Sequence, residues 1–352
     1  MKATHVIPPL FSSKWLFAKL KLMARYLWLF VLAWTLHAAD SIGVRTFHYQ
    51  DDKRNRPVSV ELWYPVDQDL AAAPAEEDVW LHPQESRDAA LSTAQSQYPL
   101  IILSHGNQGD RRERSWLAEM LVKAKFVVAA VDHFGNTRKT FNPLLSMKFW
   151  ERPRDVSFAL DQLEKETFLQ GHIDWNRVGF SGYSLGGMTG LALAGGVVEK
   201  KEQVVEAIKA RMKDVPAALL EKVDFSEATG KFHDPRIKAF FLIAPANFLY
   251  SGKALSKIAA PLGLVLSVDD EVLPHKDHAY FILRHIVPRK LKVFRHGISH
   301  FAFLNPTSEF GKNWLPPKIC NNPAKCVRSK IHHEVGKFGV QFFLEMLSIS
   351  GK

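Results

Sequence analysis

The sequence predicts an α/β fold in which a mostly parallel central sheet carries helices on both faces, and three observations predict it. From Tyr98 onward, short apolar runs alternate with amphipathic segments, the rhythm of strands joined by helical crossovers. Runs such as "YPLIILSHG", "FVVAAVDHFG" and "IKAFFLIAP" are apolar at consecutive positions, as strands covered on both sides must be. The chain has 352 residues, 47% hydrophobic and 23% charged, which supplies a large core and excludes a disordered chain.

Residues 1–39 stand apart. Basic residues, an apolar run from Tyr26 to Leu36 and small residues at Ala38 and Ala39 follow the order of a secretory signal peptide. The run is short for a membrane span, and an uncleaved anchor helix is the alternative. Met23 makes a tidier start, with Arg25 as the charged region. The remaining chain, 40–352, reads as a single domain, periplasmic or secreted. The segment carries Lys2, Lys14, Lys19, Lys21 and Arg25 and no acid, so the formal charge falls from +10 to +5 once it is removed. Such a mildly basic surface is compatible with peripheral contact with an anionic membrane. No basic run interleaved with aromatics points to nucleic acid. Export also makes a disulfide between Cys320 and Cys326, the only cysteines, the expected state.

The elements follow in order. "SIGVRTFHY" and the alternating "VSVELWYPV" read as paired strands, and residues 67–97 as a polar, exposed excursion. Between the first two buried strands, Trp116, Leu117, Met120 and Leu121 mark a helical face. Val156, Ala159, Leu160 and Leu163 mark another, opened by Pro153. Strand "RVGFSG" leads to a small-residue helix from Leu185. Strands "PLGLVLSV" and "KLKVFRHG" and a last helix through Phe338, Phe342 and Met346 complete the series. A helical insertion at 198–231 interrupts it, with Val204, Val205, Ile208 and Met212 on one face and Pro216 opening a second helix. A lid over a pocket and plain surface packing are both open for it. "HHEVGK" misses the zinc-protease spacing, with Lys337 where a second histidine is needed, so no metal or cofactor is expected. Trp150 and Trp314 read as core residues, with an interfacial lipid surface as the other reading.

The chemistry-bearing stretch is "VGFSGYSLGGMTG". Gly182-Tyr183-Ser184-Leu185-Gly186 fits G-x-S-x-G between a strand and a helix, the turn that presents a nucleophilic serine. A serine hydroxyl needs a base, and after this turn the chain order is acid, then histidine. Asp269, Asp270 and Glu271 follow one strand; His296 and His300 follow the last. His300 lies beyond a flexible Gly-Ile-Ser turn, whereas His296 directly follows the strand and reads as structural. A developing oxyanion needs backbone N–H donors. Leu185, just after the serine, is one candidate, and Asn107, in the loop after "LIILSHG", is the other. Gly106 allows close approach there, and His105 is expected to orient the loop.

Several stretches together resemble a known family. "LSHGNQGDRRERSWLAEMLVKAKFVVAAVDHFGNTR", "RPRDVSFALDQL", "VGFSGYSLGG", "VDDEVLP" and "GISHFAFL" resemble predicted dienelactone-hydrolase-like and platelet-activating-factor-acetylhydrolase-like serine hydrolases over most of residues 57–347. The resemblance implies an α/β-hydrolase fold and cofactor-free hydrolysis of a small-molecule or lipid carboxylic ester. It favours Asp270, four residues before Pro274, as the acid, with Asp269 as the rival. Two departures separate the substrate from either name: Ser184 stands where dienelactone hydrolases proper use cysteine, and "AFFLIAPA" lacks the carboxylate that the animal acetylhydrolases carry there. Polyester-cleaving cutinases are more distant cousins. A peptidase or amidase would use the same triad, and a non-catalytic scaffold would be expected to have lost part of it.

Overall fold

The computed structural model describes residues 42–67, 77–211, 216–322 and 326–348. The expected leader, with Met23, lies outside them, and Ser41–Lys352 form one compact unit. The strands are β1 Ile42–Asp51, β2 Arg56–Pro65, β3 Glu85–Arg87, β4 Tyr98–Ser104, β5 Val127–Val131, β6 Ile173–Tyr183, β7 Ile237–Ile243, β8 Leu262–Ser267 and β9 Lys290–Phe294. They form one sheet in the order β3-β1-β2-β5-β4-β6-β7-β8-β9. β2 is antiparallel to β1 and to β5, and from β5 to β9 every pairing is parallel. This is the expected mostly parallel sheet. Its longer helices are α1 Ser115–Lys123, α2 Glu151–Leu163, α3 Leu185–Leu193, α4 Lys201–Arg211 and α5 Arg328–Met346.

The continuous apolar runs have a simple cause. In β4, Leu100 and Ile102 join one buried cluster while Ile101 and Leu103 join another, following the two-residue period of a strand. Val156, Leu160 and Leu191 bring α2 and α3 to the first cluster; Leu117, Leu121 and Val335 bring α1 and α5 to the second. Both faces of the sheet are therefore core. Phe241 shows how tightly they pack, with its ring within 6.0 Å of Phe338, Phe342 and Phe343. Its truncation to alanine would cost about 3–5 kcal/mol.

Two expectations need correction. Residues 67–97 are not simply an exposed excursion: they contain β3, bury Val79, Trp80, Ala89 and Leu91, and Trp80 bridges to Thr307. The insertion follows expectation: Val204 and Ile208 are buried on α4, and a second helix, one turn at Ala217–Leu220, follows Pro216; Met212 lies outside the described residues. The Cys320–Cys326 disulfide is not formed, and both are free thiols. Cys320 Sγ lies 3.6 Å from the Leu315 carbonyl, and burial pushes the Cys326 thiol up. The Arg328 guanidinium ties this region instead, donating to the carbonyls of Asn305 and Ile319.

Candidate active site

In a parallel sheet the loops after the strands converge at the C-terminal edge, where such folds bind ligands. β6 ends at Tyr183 and α3 begins at Leu185, which leaves Ser184 alone at the corner. Its φ of 54° and ψ of −116° are strained for a non-glycine residue, at a cost of about 1–3 kcal/mol. Backbone bonds hold it there. Its N–H donates to Ile243, and its carbonyl accepts from Gly187 and Ala246. The turn is sharp enough to demand glycine: a Cβ on Gly182 would lie 2.1 Å from the Gly186 carbonyl oxygen, and one on Gly186 would lie 2.1 Å from that of Ser104.

The loops after β8 and β9 complete the cluster. His300 places Nε2 3.0 Å from Ser184 Oγ and Nδ1 2.7 Å from Asp270 Oδ2. Asp270 Oδ1 accepts the N–H groups of Val272 and Leu273, so the carboxylate is fixed before it meets the imidazole. Asp269 turns elsewhere and accepts the Gly297 N–H at 2.6 Å. Glu271 accepts the His300 N–H, and the Tyr183 hydroxyl donates to the His300 carbonyl. His296 is exposed and outside the cluster. Ser184, Asp270 and His300 are each more than nine-tenths buried. Ser184 and His300 lie in the lining of a cleft of about 490 Å³.

The loop after β4 lies against this cluster. A Cβ on Gly106 would stand 3.5 Å from Ser184 Cβ, and Asn107 lines the cleft. Leu185 is the first residue of α3, so its N–H has no partner within the helix and points from the positive end of the helix dipole. The Asn107 N–H donates to no acceptor among the described residues, while its side-chain oxygen accepts from Asn136 Nδ2. His105 braces the loop. Its Nε2 accepts the His133 N–H, so Nδ1 carries the proton and donates to the Gly106 carbonyl. Burial, with Arg152 nearby, keeps this imidazole neutral.

Beneath the cleft lies a second Ser–His–Asp chain that sequence reasoning missed. Ser104 Oγ is 2.8 Å from His133 Nε2, and His133 Nδ1 is 3.0 Å from Asp155 Oδ2. All three are fully buried, and Asp155 also accepts a two-bond fork from Arg56 and a third bond from Arg54. Arg152 connects this chain to the loop by donating to Ser104 Oγ and to the His105 carbonyl. Buried away from any substrate, the chain serves to support. "VDHFG" and "RPRDV" were visible, but only contacts between distant residues reveal that they meet. A second omission is Glu113, whose carboxylate accepts the Gly106 N–H at 2.7 Å and lines the cleft.

No described residue of the insertion 198–231 lines this cleft. Val204 and Ile208 pack into the same core cluster as α2 and α3. The cleft wall comes from Trp80 and from residues 301–319, including Phe301, Trp314 and Ile319. Trp150 is core, 4% exposed, as expected; Trp314, 70% exposed at the cleft, is not. In "HHEVGK", His332 stacks on Trp116 at 4.2 Å and faces the Ala302 carbonyl.

No family model and no curated protein matches the sequence. Among solved structures, the chain is similar to a ferulic acid esterase from Streptomyces cinnamoneus, with TM-score 0.58 and 17% identity over 88% of this chain and 91% of that one. Two structures of a cold-adapted esterase from an Arctic intertidal metagenomic library are also similar. The PEG-bound complex has TM-score 0.42 and 18% identity, over 74% of this chain and 86% of that one. The zinc-bound structure has TM-score 0.45 and 17% identity, over 87% of this chain and 95% of that one. The likeness to the Streptomyces enzyme establishes the fold, which is the expected α/β-hydrolase architecture.

Proposed function

We propose that this protein is an exported serine hydrolase that cleaves carboxylic esters, of the dienelactone-hydrolase-like and acetylhydrolase-like kind. The observation that carries the reading is His300 spanning Ser184 and Asp270 at 3.0 and 2.7 Å in an open cleft. Ser184 Oγ attacks the ester carbonyl while His300 Nε2 takes its proton; Asp270 holds the Nδ1–H tautomer and stabilises the imidazolium. The N–H groups of Leu185 and Asn107 receive the oxyanion. His300 returns the proton to the leaving alcohol, which leaves Ser184 acylated. Water then gives a proton to His300 and its hydroxide to the acyl carbon; His300 passes that proton to Ser184 Oγ as the acyl–oxygen bond breaks, and the acid departs. Residues 1–39 direct the chain to the periplasm or beyond. The fold neighbour is itself a ferulic acid esterase, which agrees with ester chemistry.

The test is kcat/KM for p-nitrophenyl esters from acetate to palmitate, in the wild type and in Ser184→Ala. The reading expects loss of at least three orders of magnitude in the variant. Retention of most activity would sink it, and matched amides would reveal a peptidase. A second reading, hydrolysis of a polyester, is favoured by the exposed Trp314 beside an uncovered cleft. Release of soluble acids from an aliphatic or aromatic polyester film would support it.

A further inference from the structure

Glu113 has no place in the triad, yet it is a buried carboxyl in the lining of the same cleft. It is 3% exposed, lines the cleft with Ser184 and His300, and accepts the Gly106 N–H at 2.7 Å. Its other oxygen would lie 1.9 Å from a Cβ on Gly109, so the carboxylate spans the loop from 106 to 109. Its own backbone is fixed, with its N–H donating to Asp110 and its carbonyl accepting from Asn305. That loop carries Asn107, the residue proposed above to supply the second oxyanion N–H.

We propose that Glu113 is a positioning residue: its carboxylate anchors the Gly106–Gly109 loop, and taking up a proton loosens that anchor and slows hydrolysis. A charged acceptor makes roughly twice as strong a bond to an N–H as a neutral one, so ionisation sets how firmly Asn107 is held. Burial pushes this carboxyl up to about 7, against the pull of Arg114 and of the Gly106 N–H. Several groups face it. Arg114 Nε lies 3.9 Å away, Arg152 approaches from α2, and Asp110 adds a like charge from the loop. Tyr183 is at the end of β6, His300 lines the same cleft, and neutral His105 packs behind Gly109. None of these is a free carboxylate acceptor for Gly106, so no other group replaces Glu113.

The proposal rests on the esterase reading for its kinetic effect but not for its structural one, and two measurements keep them apart. The first is a pH titration, from 5 to 9, of selectively 15N-glycine-labelled protein. The Gly106 amide should shift with a midpoint near 7, and Glu113→Gln should abolish that shift. A Gly106 amide that does not titrate there would overturn the proposal whether or not the protein cleaves esters.

The second measurement is the pH profile of p-nitrophenyl acetate hydrolysis. Glu113→Gln keeps a neutral acceptor and should retain activity within about threefold at low pH while losing one ionisation from the profile. Glu113→Ala should lower kcat by about 30- to 100-fold with KM nearly unchanged, approaching the loss of an oxyanion donor. A wild-type profile retained in Glu113→Gln would overturn the proposal even if Glu113→Ala failed to fold. Wild-type protein inactive on every ester would count against the esterase reading, and the glycine titration would still decide this one.

Discussion

Asp270 and His300 are joined through Oδ2 and Nδ1 at 2.7 Å, while the adjacent Asp269 takes the Gly297 N–H instead. The chain turns at Val268–Asp269, just past the end of β8, so the two neighbouring acids leave it in different directions and only Asp270 meets the imidazole. The other secures the loop that delivers it.

The two acids should therefore respond differently to amide substitution. Asp270→Asn should lower kcat by about 10³- to 10⁴-fold with little change in KM, because the imidazole loses its tautomer and its counter-charge. Asp269→Asn keeps an oxygen for Gly297 and should stay within about tenfold. Steady-state kinetics with p-nitrophenyl acetate checks both; equal losses would reopen the assignment.

The buried chain under the cleft should show up in stability. Asp155 answers Arg54 and Arg56 at once, and Asp155→Asn leaves the buried Arg56 guanidinium, and in part that of Arg54, with a weakened partner. Breaking a buried pair costs about 3–5 kcal/mol. Urea unfolding should show that loss, with His105 and the loop it braces becoming the first to exchange. A variant within about 1 kcal/mol of the wild type would refute the supporting role.

Glu113 makes stability fall as pH rises. Below the ordinary carboxyl range it is protonated in the folded and unfolded chain alike. Between that range and about 7 the unfolded chain releases the proton and the folded chain keeps it. Across that window the fold should lose up to about 3 kcal/mol, with no further loss above it. Glu113→Gln removes the slope, so its urea midpoint should gain on the wild type from pH 5 to pH 8. Parallel midpoints would contradict this.

Trp314 is the residue through which the cleft is expected to choose its substrates. A large aromatic left 70% exposed at the cleft gains by covering an apolar ligand. Trp314→Ala should raise KM for aromatic or long-chain esters by about 5- to 30-fold and leave acetate esters nearly unaffected. Chain-length profiles of the two proteins make the comparison.

The sequence was most legible where local pattern and chemistry coincide. Continuous apolar runs announced two-sided strands, and a serine between glycines at a strand end announced its own turn. Chain order then pointed to the two loops that carry the acids and His300, because the loops after parallel strands must meet; the preference for Asp270 over Asp269 came from the resemblance. Legibility ended where partners are far apart. Nothing near His133 says that Asp155, 22 residues on, faces its ring, or that Glu113 reaches back to Gly106. Trp80 sits in a stretch that looks polar on average, and its burial in the same cluster as Trp116 and Phe303, beside the bridge to Thr307, depends on residues distant in the chain. Expected export suggested a bridge between the only two cysteines, but Arg328 ties the region and both thiols are free.

The most direct test of the account is covalent. A p-nitrophenyl phosphonate mimics the tetrahedral intermediate and traps a nucleophilic serine that has a base and an oxyanion hole. The account predicts release of one equivalent of p-nitrophenol, an adduct mapped by peptide mass spectrometry to Ser184, and no adduct in Ser184→Ala. An adduct on any other residue, or ester hydrolysis that persists undiminished with Ser184 blocked, would contradict it.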